Sequence, residues 1–111
     1  MLPSEVFSEA RDLIRDGGHA KKVYATDAKG KQVSYNNPVA KYFCPAGAML
    51  RVIDRVERER GLLFQTCFDL MKEARPHEGG VQGYNDRPET TQDDVIEWFD
   101  AAIELAVSTG K

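Results

Sequence analysis

The sequence predicts a mainly helical α+β domain, with four helices packed around one core and a single β-hairpin between the first and second helix. Three observations predict it. Apolar residues recur at helical spacing in four separate stretches. One further stretch alternates with period two around a turn signal. The chain has 111 residues, so residues 1–111 are expected to form a single small helical domain.

The first helix is expected over residues 4–16. Val6, Ala10, Leu13 and Ile14 fall on one face, and Ser4 offers an oxygen to the free N–H groups of the first turn. Gly17-Gly18 should stop it, because glycine adopts the left-handed conformation cheaply. In the following stretch Val23 and Ala25, then Val33 and Tyr35, alternate with polar or aromatic neighbours. Asp27-Ala28-Lys29-Gly30 separates the two arms, which predicts the hairpin. Two strands alone are marginal, so the hairpin must lean on a helix.

Asn37-Pro38 reads as the cap and first residue of the second helix. Val39, Phe43, Ala46, Leu50 and Ile53 make its stripe. Pro45 interrupts the stripe and predicts a kink near Tyr42 or a fresh start at Pro45. Gly61 separates the third helix, whose face is Leu63, Cys67, Leu70, Met71 and Ala74, with Phe64 and Phe68 flanking it. Arg75-Pro76 ends it. Residues 76–89 read as a 14-residue loop with three glycines and two prolines. The fourth helix starts at Thr90 or Thr91, and Thr90 with Asp93, or Thr91 with Asp94, approximates a capping box. Val95, Phe99, Ala102 and Ala106 form its buried face. Trp98, Ile96 and Leu105 widen it beyond what a small core readily covers, which points to a homodimer.

Composition bounds the function. The chain is 41% hydrophobic and 30% charged, ordinary for a soluble globular protein. Fifteen basic against 18 acidic residues give a net charge of −3, which argues against nonspecific nucleic-acid binding. Uncharged runs such as residues 42–50 reach only nine residues, against roughly 20 for a membrane span. The N-terminus lacks a signal-peptide pattern, so the expected location is cytoplasmic, with no membrane partner.

Chemistry-bearing residues are few. Arg51, Arg55 and Arg58 share one side of the second helix. Asp54 and Glu59 stand four residues from two of them, so a solvated face is the plainer reading than an anion site. Cys44, Cys67, His19 and His77 lack metal-ligand spacing, and the cysteines read as buried free thiols. No phosphate-cradling loop or nucleophile elbow is present, and the sequence implies no cofactor. The 76–89 segment is the best candidate for function. Long loops often bind, and His77, Gln82, Tyr84, Asn85, Asp86 and Arg87 place varied polar chemistry there.

Several short motifs occur in order: N-P-x-A-x-x-[aromatic]-C-x-x-G-A over residues 37–48, Arg51, Tyr84-Asn85-Asp86, Thr91 with Asp94-Val95, and Asp100, Ala102, Ile103 and Ala106. In this the chain resembles a family of short, uncharacterised bacterial and phage-borne proteins, a domain of unknown function. The resemblance spans most of the chain and implies a small helical domain without implying an activity. The motifs invite a structural account. Gly47-Ala48 would let the chain before the last helix cross the second helix, with Asn85-Asp86 bonding that crossing or pairing with Arg51. The leading expectation is a noncatalytic binding or accessory module for a protein partner or a small ligand near residues 76–89. One alternative is a small hydrolase using His77 and Asp86. Another is a nucleic-acid-associated regulator using the three arginines.

Overall fold

The structure, a computed structural model, describes residues 1–56 and 61–111. Among them the order is α1 (Pro3–Asp16), β1 (Ala25–Thr26), β2 (Tyr42–Phe43), α2 (Pro45–Val56), α3 (Gly61–Ala74), α4 (Gly80–Asp86) and α5 (Gln92–Ser108). The chain is mainly helical with one two-stranded antiparallel sheet between α1 and α2, as expected. It has five helices among the described residues, where four were expected, because α4 forms inside the expected loop. None of these helices is long and apolar enough to cross a membrane.

The starts of α1 and α2 differ from the sequence reading for identifiable reasons. Pro3, not Ser4, opens α1; the cap is Leu2, whose N–H donates to Glu5 Oε1 at 2.8 Å. Ser4 instead donates through N and Oγ to the carbonyl of Lys111. Gly17 ends α1 in the right-handed region, and the positive φ that glycine permits falls on Gly18, at +147°. A side chain at Gly17 would strike the carbonyl of Lys41, and one at Gly18 the Tyr42 ring.

The second helix begins at Pro45, as a fresh start. Asn37 accepts from the Val39 N–H through Oδ1 and from Ala40 N through its carbonyl, a local turn that replaces the expected helix start. Val39 is therefore exposed and leaves the stripe, while Phe43, Ala46, Leu50 and Ile53 are buried. The Asp27–Gly30 turn forms as read, with Asp27 Oδ1 accepting from Lys29 and Lys31 N–H and Gly30 at φ +84°. The partner of β1 is nevertheless β2, with Ala25 opposite Phe43. The expected second arm contributes a single bridge, Thr26 to Gln32.

One buried cluster joins all five helices. α1 lies against α5 and α2, and α3 against α5. Trp98 is fully buried within the chain. Its indole N–H donates to the Met71 carbonyl at 2.8 Å, and Tyr84 meets its ring edge-on at 5.0 Å. Ile96 and Leu105 pack partly buried against the same core. The capping box of α5 is complete: Asp94 N–H donates to Thr91 Oγ1 and Thr91 N–H to Asp94 Oδ2. That backbone donor holds the Asp94 carboxyl below its ordinary range.

Gly47 lies where the backbone of Tyr24 crosses α2, not where the chain enters α5. A Cβ there would strike the Tyr24 carbonyl. In an open helical site, Gly→Ala gains up to about 1 kcal/mol. At Gly47 the clash reverses the sign, and Gly47→Ala is expected to lose about 2 kcal/mol in urea unfolding.

Candidate functional site

Helix α4 exists against its own composition. Glycine disfavours helix by about 1 kcal/mol per residue relative to alanine, and Gly80 and Gly83 lie within it. Tertiary contacts make up the difference. Val81, Tyr84 and Asn85 are buried at i, i+3 and i+4. Thr90 Oγ1 caps the Tyr84 carbonyl at 2.7 Å, and Lys21 Nζ donates to the Arg87 carbonyl.

The segment 19–22 is held along this helix by a chain of polar contacts. Asn85 is fully buried. Its Nδ2 donates to the Ala20 carbonyl and to Asp86 Oδ1, both at 3.1 Å. These two acceptors orient the amide, so its Oδ1 faces His19 Nε2 at 2.6 Å and the proton lies on that nitrogen. Burial lowers the His19 pKa below its ordinary value. Asp86 Oδ1 also accepts the Lys22 N–H at 2.8 Å. Lys22 is the one non-glycine residue at positive φ among those described, +68°.

Beside this chain opens a cleft of about 320 Å³ lined by Lys22, Val23, Tyr24, Gln32, Gln82 and Asp86. A neighbouring cleft of about 410 Å³ shares Tyr24 and Gln32 and continues along Val33, Ser34 and Tyr35. Tyr24 is 47% exposed and meets Tyr35 edge-on at 6.2 Å.

The expected site residues therefore divide into three places. Gln82 and Asp86 line the cleft, and Asn85 braces it from below. Tyr84, His77 and Arg87 belong to a different face. There Tyr84 is flanked by the Arg75 and Arg87 guanidiniums at 5.4 and 5.1 Å and by the His77 ring at 5.6 Å. His77 Nδ1 accepts from the Gly79 N–H, and no hydrogen bond joins His77 to Asp86. Arg51 lies elsewhere. It donates to the carbonyls of Tyr35 and Asn37, both at 2.9 Å, and lies over the Phe43 ring, so it fastens the 35–37 turn to α2. The expected pairing of Asn85 or Asp86 with Arg51 is replaced by their contacts with residues 19–22. Arg55 stands 3.9 Å from Glu9, and Arg58 and Glu59 lie outside the described residues.

Cys44 caps α2 through sulfur, accepting the Gly47 N–H at 3.3 Å. Burial pushes its thiol up to about 11 and that of Cys67 up to about 12, so both are protonated near neutral pH. Among the described residues no three His, Cys, Asp or Glu side chains gather as a metal-ligand set. Lys22, Tyr24, Gln32 and His19 were not picked out as site residues from the sequence. No local pattern marks a lysine for positive φ or joins residue 22 to residue 86.

The architecture defines a small, mainly helical α+β protein with a surface cleft where its second-to-last helix clasps an irregular segment. Residues 1–105 match the sequence model of a family of unknown function, DUF6197, and the chain belongs to that family. No curated protein and no solved structure matches it.

An imidazole with a lowered folded-state pKa binds fewer protons folded than unfolded. Its stabilising contribution is intact above the unfolded value of about 6.5 and is lost as pH falls toward the folded one. The urea midpoint is thus expected to drop more steeply from about pH 7.5 to about pH 5.5 in the wild type than in His19→Gln. Equal slopes would remove His19 from the account. Asn85→Ala leaves buried partners unpaired and is expected to lose about 3 kcal/mol in the same assay.

Proposed function

We propose that this protein is a noncatalytic binding module that seats a small ligand in the cleft between residues 22–24, Gln32 and α4. The observation that carries this reading is the backbone of Lys22. A non-glycine residue in the left-handed region costs about 1–3 kcal/mol and persists only where its surroundings over-determine it. Here the Asp86 carboxylate holds the Lys22 N–H in place, and the residue so held forms a wall of the cleft. A concave site with convergent polar groups is the usual form of a small-molecule seat.

Two further contacts favour binding over the other readings. His77 and Asp86 each bond separate backbone partners rather than each other, which speaks against a hydrolytic pair. Arg51 is taken up by two carbonyls, which removes it from a phosphate-binding face.

Native mass spectrometry of the protein purified from its expressing cells tests the proposal. The wild type is expected to carry an added mass that disappears on denaturation. Gln82→Trp, which fills the cleft, is expected to lack it. A bare 12.4 kDa chain or its bare multiples in the wild type, or an added mass retained by Gln82→Trp, would overturn the reading. The same spectra weigh the assembly and so decide whether the chain pairs with a second copy.

A further inference from the structure

The polar groups of the cleft fall into two kinds, those held by the fold and those left open. Asp86 Oδ1 is held, accepting from Lys22 N and Asn85 Nδ2. Its second oxygen, Oδ2, has no hydrogen-bond partner among the described residues. Nor has the Lys22 ammonium, nor the side-chain amides of Gln32 and Gln82. The contrast with Lys21 is informative, since that neighbouring ammonium is engaged by the carbonyls of Arg87 and Pro88. One cation, one carboxylate oxygen and two amides thus line one small cleft with no hydrogen-bond partner among the described residues.

Their charges sum to zero. Such a lining offers no net field to a simple anion or a simple cation, because each would gain one attraction and suffer one repulsion. A ligand that carries both charges a few bonds apart gains two attractions. The Lys22 N–H bond to Asp86 fixes the backbone of the one residue against the carboxylate of the other, which keeps both charges on the same cleft. Beyond them the exposed face of Tyr24 and the adjoining cleft along Val33 and Tyr35 present apolar surface to whatever the charged end leaves outside.

We propose that the cleft binds a free α-amino acid with an apolar or aromatic side chain, its carboxylate on Lys22, its ammonium on Asp86 Oδ2 and its side chain against Tyr24. This rests on the reading of the cleft as a ligand seat and specifies the ligand's chemistry. The amides of Gln32 and Gln82 supply the remaining donors and acceptors.

Amide-resolved NMR titration of the full chain tests it with three probes: L-phenylalanine, 3-phenylpropionate, which lacks the ammonium, and phenethylamine, which lacks the carboxylate. L-Phenylalanine is expected to shift the amides of Lys22, Tyr24, Gln82 and Asp86, half-saturating at a concentration about tenfold below either analogue. Asp86→Asn retains the Oδ1 acceptor that holds Lys22 and replaces the charged Oδ2 acceptor with an amide donor. It and Lys22→Gln are each expected to raise the half-saturation for L-phenylalanine about tenfold. If Asp86→Asn does not fold, the probe comparison on the wild type and the Lys22→Gln variant decide the matter. An analogue that binds as tightly as L-phenylalanine would overturn the zwitterion assignment and leave the ligand seat standing. Cleft amides unmoved by all three probes would also overturn the assignment, while the native mass separately decides the seat.

Discussion

A buried primary amide has to satisfy an acceptor at one end and two donors at the other, and Asn85 does so with two partners from outside its own helix and one, Asp86, at its end. Its oxygen meets His19, and one Nδ2 hydrogen reaches the Ala20 carbonyl. Leaving either end open would cost about 1–3 kcal/mol, a large share of the stability of a small domain. The amide therefore does more than add one contact. It requires the irregular segment after α1 to lie along α4, and that apposition creates the cleft wall. Asp86 next to it repeats the logic with a carboxylate on a backbone N–H. The arrangement is specified by hydrogen-bond geometry more than by apolar packing.

The helices with long periodic faces were legible because burial and periodicity say the same thing there. Val6, Ala10 and Ile14 in α1, and Val95, Phe99, Ala102 and Ala106 in α5, are buried as the spacing requires. The capping box of Thr91 and Asp94 was legible for the same reason, since a cap is a local interaction. Helix α4 was not. Its apolar signal is only Val81 and Tyr84, its third buried position is an asparagine, and its glycines speak against helix. What forms it comes from Lys21 and Thr90, neither part of the helix. The pairing of β1 escaped the sequence in a similar way. The alternation at Val33 and Tyr35 is real, but α2 starts only at Pro45, which disfavours helix at Cys44 before it, and Tyr42 and Phe43, left outside the helix, take the place beside β1.

The candidate site was half visible. The segment 76–89 stands out in the sequence for its polar variety, and in the structure that variety serves three purposes. Gln82 and Asp86 face the cleft, Asn85 braces it, and Tyr84 with its two arginines and His77 closes the other side of the helix over Trp98. A linear sequence lists these residues side by side, whereas a helix turns successive residues by 100° and so sends neighbours to different faces. The expectation that Arg51 joins them rests on Gly47-Ala48 as the crossing point of the chain before the last helix, whereas the backbone that crosses there is that of Tyr24. The actual task of Arg51 is to hold two carbonyls of the turn before β2.

Cys44 uses its sulfur as a helix cap, and Cys67 lies in the core beside Leu70 and Met71. Each thiol stays protonated and covered for as long as its helix keeps its place. Alkylating reagents attack the thiolate, and they can reach it only after the chain opens. The two sulfurs thus report on separate events, Cys44 on the unseating of the α2 N-terminus and Cys67 on the parting of α3 from the core. A protein built this way carries two internal clocks of its own breathing, and a ligand that tightens the clasp between α4 and residues 19–24 would slow the first of them, because Tyr24 and Cys44 are joined through the backbone.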